Sequence, residues 1–175
     1  MKKRIGLIAV AVAALLVGVA SSAQAAETSP HKGFFLGAGV LGGGEIGPTD
    51  RFGGGAAARL GYGVNDQWLL YLDNNYLYTR KSGANFSFYD ALAKAQWYPV
   101  GNFYLSAGGG LAVGQAAFGA VKSTKLGFAT SSGVGYEFRP KDQLALSVES
   151  GFTYKRISST NFYTPHLIGR LDYWF

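Results

Sequence analysis

Two histidines, a scatter of serines and ten carboxylates are the raw material for chemistry in this chain, which has no cysteine. Hydrolysis by a hydroxyl nucleophile needs a serine, a histidine to take its proton and an acid to orient the histidine. His166 alternates in step with Arg170 and Asp172, but the nearest serines are Ser158 and Ser159, well before it. That spacing carries no local triad signature, so His166 reads first as a residue that fills an interior, with a triad from more distant residues as the lesser alternative, and His31 reads as solvated. The clusters Gly53-Gly54-Gly55, Gly108-Gly109-Gly110 and Gly133-Val134-Gly135 do not open a helix in a strand-helix-strand unit, so no phosphate-cradling loop is expected. Glu45, Asp50 and Asp66 read as solvated acids, and no His and carboxylate spacing repeats as metal ligands would. The missing cysteines exclude thiol catalysis, disulfides and thiolate metal sites together. No catalytic residue, cofactor or metal is therefore expected.

The charges that remain fall into a pattern. Residues alternate between apolar and small or polar over segments of about a dozen, which is the period of a β-strand and the length of a tilted membrane-spanning one. The segments are 33–41, 54–64, 68–79, 86–98, 103–117, 125–138, 143–156 and 162–175. In the seventh, Leu144, Leu146, Val148, Phe152 and Tyr154 share one face, opposite Ala145, Ser147, Glu149, Gly151 and Thr153. Arg59, Asp73, Asp90, Lys94, Glu137, Glu149, Arg170 and Asp172 all lie on the small-residue faces. A soluble barrel would turn its apolar faces inward, whereas burying that many charges around a dry calyx would be prohibitive, so the alternation is expected to be inside out. The fold expected is all-β: an eight-stranded antiparallel up-and-down transmembrane β-barrel whose lumen holds those eight residues as an ion-pair network.

The ends and the composition agree with that fold. Met1-Lys2-Lys3-Arg4, the apolar run Ile5 to Ala20 and Ala23-Gln24-Ala25 read as a secretory signal peptide over 1–25, leaving 26–175 as one barrel domain. Removing those three basic residues takes 16 to 13 against 10 acids, a net charge of +3, too weak a balance to argue for nucleic acid. The 26 glycines suit a tightly curved sheet, and 15% aromatic residues suit two interface girdles. Trp68, Trp97 and Trp174 are expected at one rim, with Tyr76, Tyr78, Phe86, Phe88, Phe128, Tyr154 and Phe162 at the other.

The connections read as two kinds. Asn65-Asp66-Gln67, Pro99-Val100-Gly101-Asn102 and Pro140-Lys141-Asp142 are short turns, while 42–53, 80–85, 119–124 and 157–161 are looser and read as outer loops. Arg80, Lys81, Lys122, Lys125, Lys155 and Arg156 flank three of those loops, a basic belt expected to face lipopolysaccharide phosphates.

The last residues, from Leu167 to Phe175, place Leu171, Tyr173 and Phe175 on one face. This resembles the C-terminal signature by which bacterial outer-membrane proteins are recognised during assembly, although the glycine sits one position from its commonest place. With the signal peptide, length and alternation, the mature chain resembles the small eight-stranded outer-membrane barrels that include the OmpA transmembrane domain, OmpX and the Opa-type adhesins. The resemblance implies a Gram-negative outer-membrane location. It also implies partners among outer-membrane lipids and lipopolysaccharide, the assembly machinery and periplasmic chaperones, and a monomer. Members of that group do unrelated things. A non-enzymatic structural, adhesive or envelope-maintenance role is expected, with a narrow channel for small solutes or ions next. A lipid A-modifying enzyme comes last, because barrel-type deacylases carry a histidine and a serine two residues apart and His166 is followed by Leu167 and Ile168.

Overall fold

The computed structural model describes residues 31–47, 50–81, 84–118 and 121–175, the side chains of Phe118, Val121 and Lys122 excepted. The expected signal peptide lies outside the described residues. Eight strands follow one another: β1 (Gly33–Glu45), β2 (Arg51–Asn65), β3 (Trp68–Lys81), β4 (Ala84–Val100), β5 (Phe103–Phe118), β6 (Val121–Lys141), β7 (Leu144–Ile157) and β8 (Thr160–Trp174). Each pairs antiparallel with the next, and β8 closes on β1, so no strand edge is left unpaired. That closure satisfies the ladder hydrogen bonds of every strand, a condition an open sheet cannot meet away from water.

The register fixes the shape of the interior. From Gly33 the directly opposed residues run through Gly63, Leu69, Gln96, Ser106, Gly133, Gly151 and His166 and return to β1 at Gly43. One circuit therefore climbs from Gly33 to Gly43, and this stagger tilts the strands by about 35–45° from the barrel axis. An eight-stranded barrel of this kind is filled by its own side chains.

The strands are longer than the alternation alone gives, and the expected contrast between short turns and long loops disappears. The links at the end that carries His31 and Phe175 are turns at 66–67, 101–102 and 142–143. At the distal end, β3 and β4, β5 and β6, and β7 and β8 are also separated by only two residues each, and β1 and β2 by 46–50. Glycine-rich and polar stretches read as loops because they lack strand propensity. Here Gly42, Gly43 and Gly44 stand opposite Gly54, Gly53 and Phe52, and ladder pairing overrides the propensity. Gly101 takes a φ of 52° in its turn, a left-handed value that suits glycine.

The faces are inside out, as the alternation requires. Leu72, Leu111, Val148 and Leu171 stand exposed on the outer wall while the charged residues point into the lumen. Trp68 and Trp97 stack outside, 6.0 Å apart. Trp174 departs from expectation: it is buried inside, stacked on Phe35. Phe88 is likewise buried with Leu92, Ala112, Ala129 and Ile157, and Phe86 and Phe162 pack against that cluster. These aromatics close the two ends of the lumen instead of joining the girdles. A second cluster, Phe35, Leu69, Tyr71, Tyr98, Tyr104, Ala145 and Trp174, fills the end that carries His31 and Phe175.

Candidate functional site

Every second residue of each strand faces the lumen, and ionic groups from well-separated strands meet there. Arg59 on β2 and Asp172 on β8 flank Gly37 of β1, which stands opposite both. Because glycine has no side chain, the two reach across it: Arg59 Nε and Nη2 donate to Asp172 Oδ1 and Oδ2, each at 2.7 Å. A paired fork of this kind is the strong form of a charged hydrogen bond. Arg59 Nη1 donates to Gln96 Oε1 at 2.9 Å, Gln96 Nε2 to the Tyr98 hydroxyl at 2.5 Å, and that hydroxyl to Glu137 Oε2 at 2.7 Å.

Glu137 anchors the end of this chain of bonds. Arg139 Nε donates to its Oε1 at 2.7 Å, and His31 Nε2 lies 3.2 Å from the same oxygen. His31 also lies against Tyr98, with ring centroids 4.1 Å apart. His31 is therefore buried, not solvated as expected. His31, two residues before β1, sits in the barrel mouth, where Glu137 and two aromatic rings receive the imidazole.

Four groups form the centre. Lys94 Nζ lies 3.0 Å from Glu149 Oε1 and 3.4 Å from Asp73 Oδ2. Arg170 Nη2 lies 3.1 Å from Asp73 Oδ1, and its Nη1 lies 3.5 Å from Glu149 Oε2. Each cation thus bridges both acids, joining β3 and β4 to β7 and β8 across the lumen. Ser106 adds a hydroxyl to Glu149 Oε2 at 3.2 Å. His166 faces inward, Nε2 4.0 Å from Glu149 Oε1 and Nδ1 3.1 Å from the Thr164 carbonyl.

Nearer the distal end, Lys155 Nζ lies 2.9 Å from Asp90 Oδ2. This corrects the placement of Lys155 in the basic belt: it shares the inward parity of Glu149 and Thr153, and the carboxylate of Asp90 holds it inside. Glu45 is also buried, not solvated, because β1 runs on to it and sets it opposite Arg51, whose guanidinium sits 3.5 Å over the Phe86 ring.

The eight expected residues all face the lumen, and six join the two groups just described: Arg59 with Asp172, and Asp73, Lys94, Glu149 and Arg170 together. Asp90 pairs with Lys155 and Glu137 with His31 and Arg139, three partners outside the expected network. Among the described residues the interior holds six acids (Glu45, Asp73, Asp90, Glu137, Glu149, Asp172) and six cations (Arg51, Arg59, Lys94, Arg139, Lys155, Arg170). Desolvating charge is expensive, and the close pairs among these groups, such as Arg59 with Asp172 and Lys155 with Asp90, offset part of that expense. Gln96, Tyr98 and Ser106 also lay on inward positions and could have been found by parity, since polar residues in step with charges share their face.

The rim and the last strand are simpler. Arg80, Lys81, Lys125 and Arg156 are exposed at the distal end, and Lys81 Nζ donates to the Asp50 carbonyl at 2.8 Å. Lys122 lies on β6, with its side chain outside the described residues. Leu171, Tyr173 and Phe175 face outward, and the Phe175 amide donates to the Phe34 carbonyl at 3.0 Å, extending the seam between β8 and β1.

No protein-family model and no curated protein sequence matches the chain. Solved structures do. Neisserial surface protein A superposes with a TM-score of 0.60 at 17% identity, covering 81% of this chain and 97% of that one. Ail, the attachment invasion locus protein of Yersinia pestis, gives 0.62 at 15% identity, covering 81% and 99%. The chain has the fold of these small eight-stranded outer-membrane barrels.

Proposed function

We propose that the protein is a non-enzymatic barrel of the Gram-negative outer membrane with a structural, envelope-maintenance role, its lumen closed by ion pairs and its distal rim facing lipopolysaccharide. The observation that carries the reading is the bridging of facing walls, β3–β4 to β7–β8, by the central four charges, with the Arg59–Asp172 pair reaching over β1 between β2 and β8. An outer wall of exposed apolar residues around this charged interior suits hydrocarbon outside, not water. Three two-residue links at the distal end leave little loop surface for adhesion, which favours the structural role over the adhesive one. Both histidines are held by lumenal partners, which favours a non-enzymatic reading. Planar-bilayer recording tests the closed lumen: the purified barrel is expected to give no stepwise conductance, and steady single-channel steps would support a narrow channel instead.

Exposed Arg80, Lys81, Lys125 and Arg156 supply the charge that lipid phosphates attract. Leu171, Tyr173 and Phe175 serve, in this reading, as the signal met by periplasmic chaperones and the assembly machinery, delivering a monomer. Deleting Phe175 is expected to lower the fraction recovered in the outer membrane and raise a protease-sensitive periplasmic fraction. Assembly at the wild-type level and rate would show that the terminal residue carries no signal.

A further inference from the structure

The chain contains one stretch twice. Tyr78-Thr79-Arg80-Lys81-Ser82-Gly83-Ala84-Asn85-Phe86 and Tyr154-Lys155-Arg156-Ile157-Ser158-Ser159-Thr160-Asn161-Phe162 agree at Tyr, Arg, Ser, Asn and Phe, 76 positions apart. The same offset relates Asp66-Gln67 to Asp142-Gln143, Asp73 to Glu149, and Lys94 to Arg170. The central four charges are therefore two copies of one acid and one base, each base bridging both acids. The repeat carries β3–β4 onto β7–β8, four strands further round the closed barrel, so the two repeated strand pairs stand on opposite sides of its distal rim.

The two copies share geometry as well as sequence. Arg80 stands opposite Asn85 and Arg156 opposite Asn161. The Tyr78 hydroxyl donates to Asn85 Oδ1 at 2.9 Å, and the Tyr154 hydroxyl to Asn161 Oδ1 at 3.0 Å. Phe86 and Phe162 both turn inward onto the same apolar cluster. Among the described residues neither Arg80 nor Arg156 has an ion-pair partner, and both are exposed on the outer side.

The chemistry of each copy is one-sided. With the tyrosine hydroxyl donating to the asparagine oxygen, the amide's two N–H groups are left to meet a ligand, and a guanidinium has nothing but donors. A phosphate monoester has only acceptors to match them, and guanidinium to phosphate is a strong pairing. Tyr76 and Tyr89 beside the first copy, and Phe152 and Tyr163 beside the second, place each set at the edge of the apolar wall, where a lipid headgroup lies.

We propose that the two hairpins are equivalent phosphate seats, Arg80 with Asn85 and Arg156 with Asn161, holding two phosphorylated glycolipid molecules of the outer leaflet on opposite sides of the barrel. The proposal rests on the outer-membrane reading above and adds to it a definite stoichiometry and definite residues.

Native mass spectrometry of the refolded barrel with bisphosphorylated lipid A, and separately with dephosphorylated lipid A, tests it. Two retained molecules of the phosphorylated lipid are expected for the wild type, one for Arg80→Ala, one for Arg156→Ala and none for the double variant, with little retention of the dephosphorylated form. Asn85→Asp and Asn161→Asp, which set a carboxylate in each seat, are expected to repeat those losses. A heat-dependent gel shift for each variant confirms that it is folded. Equal retention of both lipids, or a double variant that still holds two molecules, overturns the proposal. Matching stepwise losses from Lys81→Ala and Lys125→Ala overturn it too, while leaving a general basic rim intact. A wild-type barrel that retains neither lipid removes the rim reading along with the seats.

Discussion

Replacing Glu149 by alanine is expected to lower the unfolding free energy of the refolded barrel by about 3–5 kcal/mol, the cost of leaving a buried charge without its partner. Glu149 is fully buried and receives Lys94, Arg170 and the Ser106 hydroxyl. Without it, both cations fall on Asp73, and the centre is left with two positive charges against one negative in a space shielded from water. Asp66→Ala is the control, because its contact with Lys32 is long, at 3.9 Å, and both side chains are exposed. Such a pair contributes about 0–1 kcal/mol. Tryptophan fluorescence across a urea titration in lipid vesicles reads both. Equal midpoints for the two variants would mean that water already screens the centre, as in an open channel.

A second large effect is expected at Gly37. A methyl group placed there would collide with the Asp172 carboxylate and the Arg59 side chain, the two groups that meet across this glycine. Gly37→Leu must therefore push apart a doubly hydrogen-bonded buried pair. It combines overpacking, about 1–3 kcal/mol, with the larger cost of stranding two charges. Few molecules are expected to reach the heat-resistant folded form. Gly42→Leu points into open space and is expected to change stability by less than about 0.5 kcal/mol. The yield of the folded gel form compares them directly, and equal yields would show that the fork between Arg59 and Asp172 does not hold the barrel.

The barrel and the inward placement of its charges were legible because strand geometry has a strict period of two, and a residue's face follows from its count along the strand. Residue type and strand parity disagree at several positions, and the fold follows parity. Lys155 stands in step with Glu149 and Thr153, yet its basic side chain beside a turn read as part of the rim. Phe86 and Phe88 stand in step with Asp90 and Lys94, yet aromatic type read as girdle. Glu45 and its flanking glycines lack strand propensity, so nothing local announced that β1 reaches them; the pairing that does so comes from β2. His31 lies before the first strand and has no period to follow, and only the folded barrel brings Glu137 and Tyr98 to it. The repeat was present in the sequence, but five shared residues in nine gain meaning only when the register sets both hairpins in the same geometry.

An apolar wall in lipid around a closed, charged lumen is the arrangement proposed for this barrel. Spin labels at single introduced cysteines report on both faces at once, because the chain has no cysteine of its own. Labels at Leu72, Leu105 and Val148 probe the outer wall, and labels at Ser106, Ser131 and Ser147 the interior. In vesicles the outer labels are expected to relax strongly with oxygen and weakly with a water-soluble nickel chelate, while the inner labels respond weakly to both. Strong relaxation of the inner labels by the nickel chelate would reveal a water-filled pore. Strong relaxation of the outer labels by that chelate would contradict the membrane-spanning barrel itself.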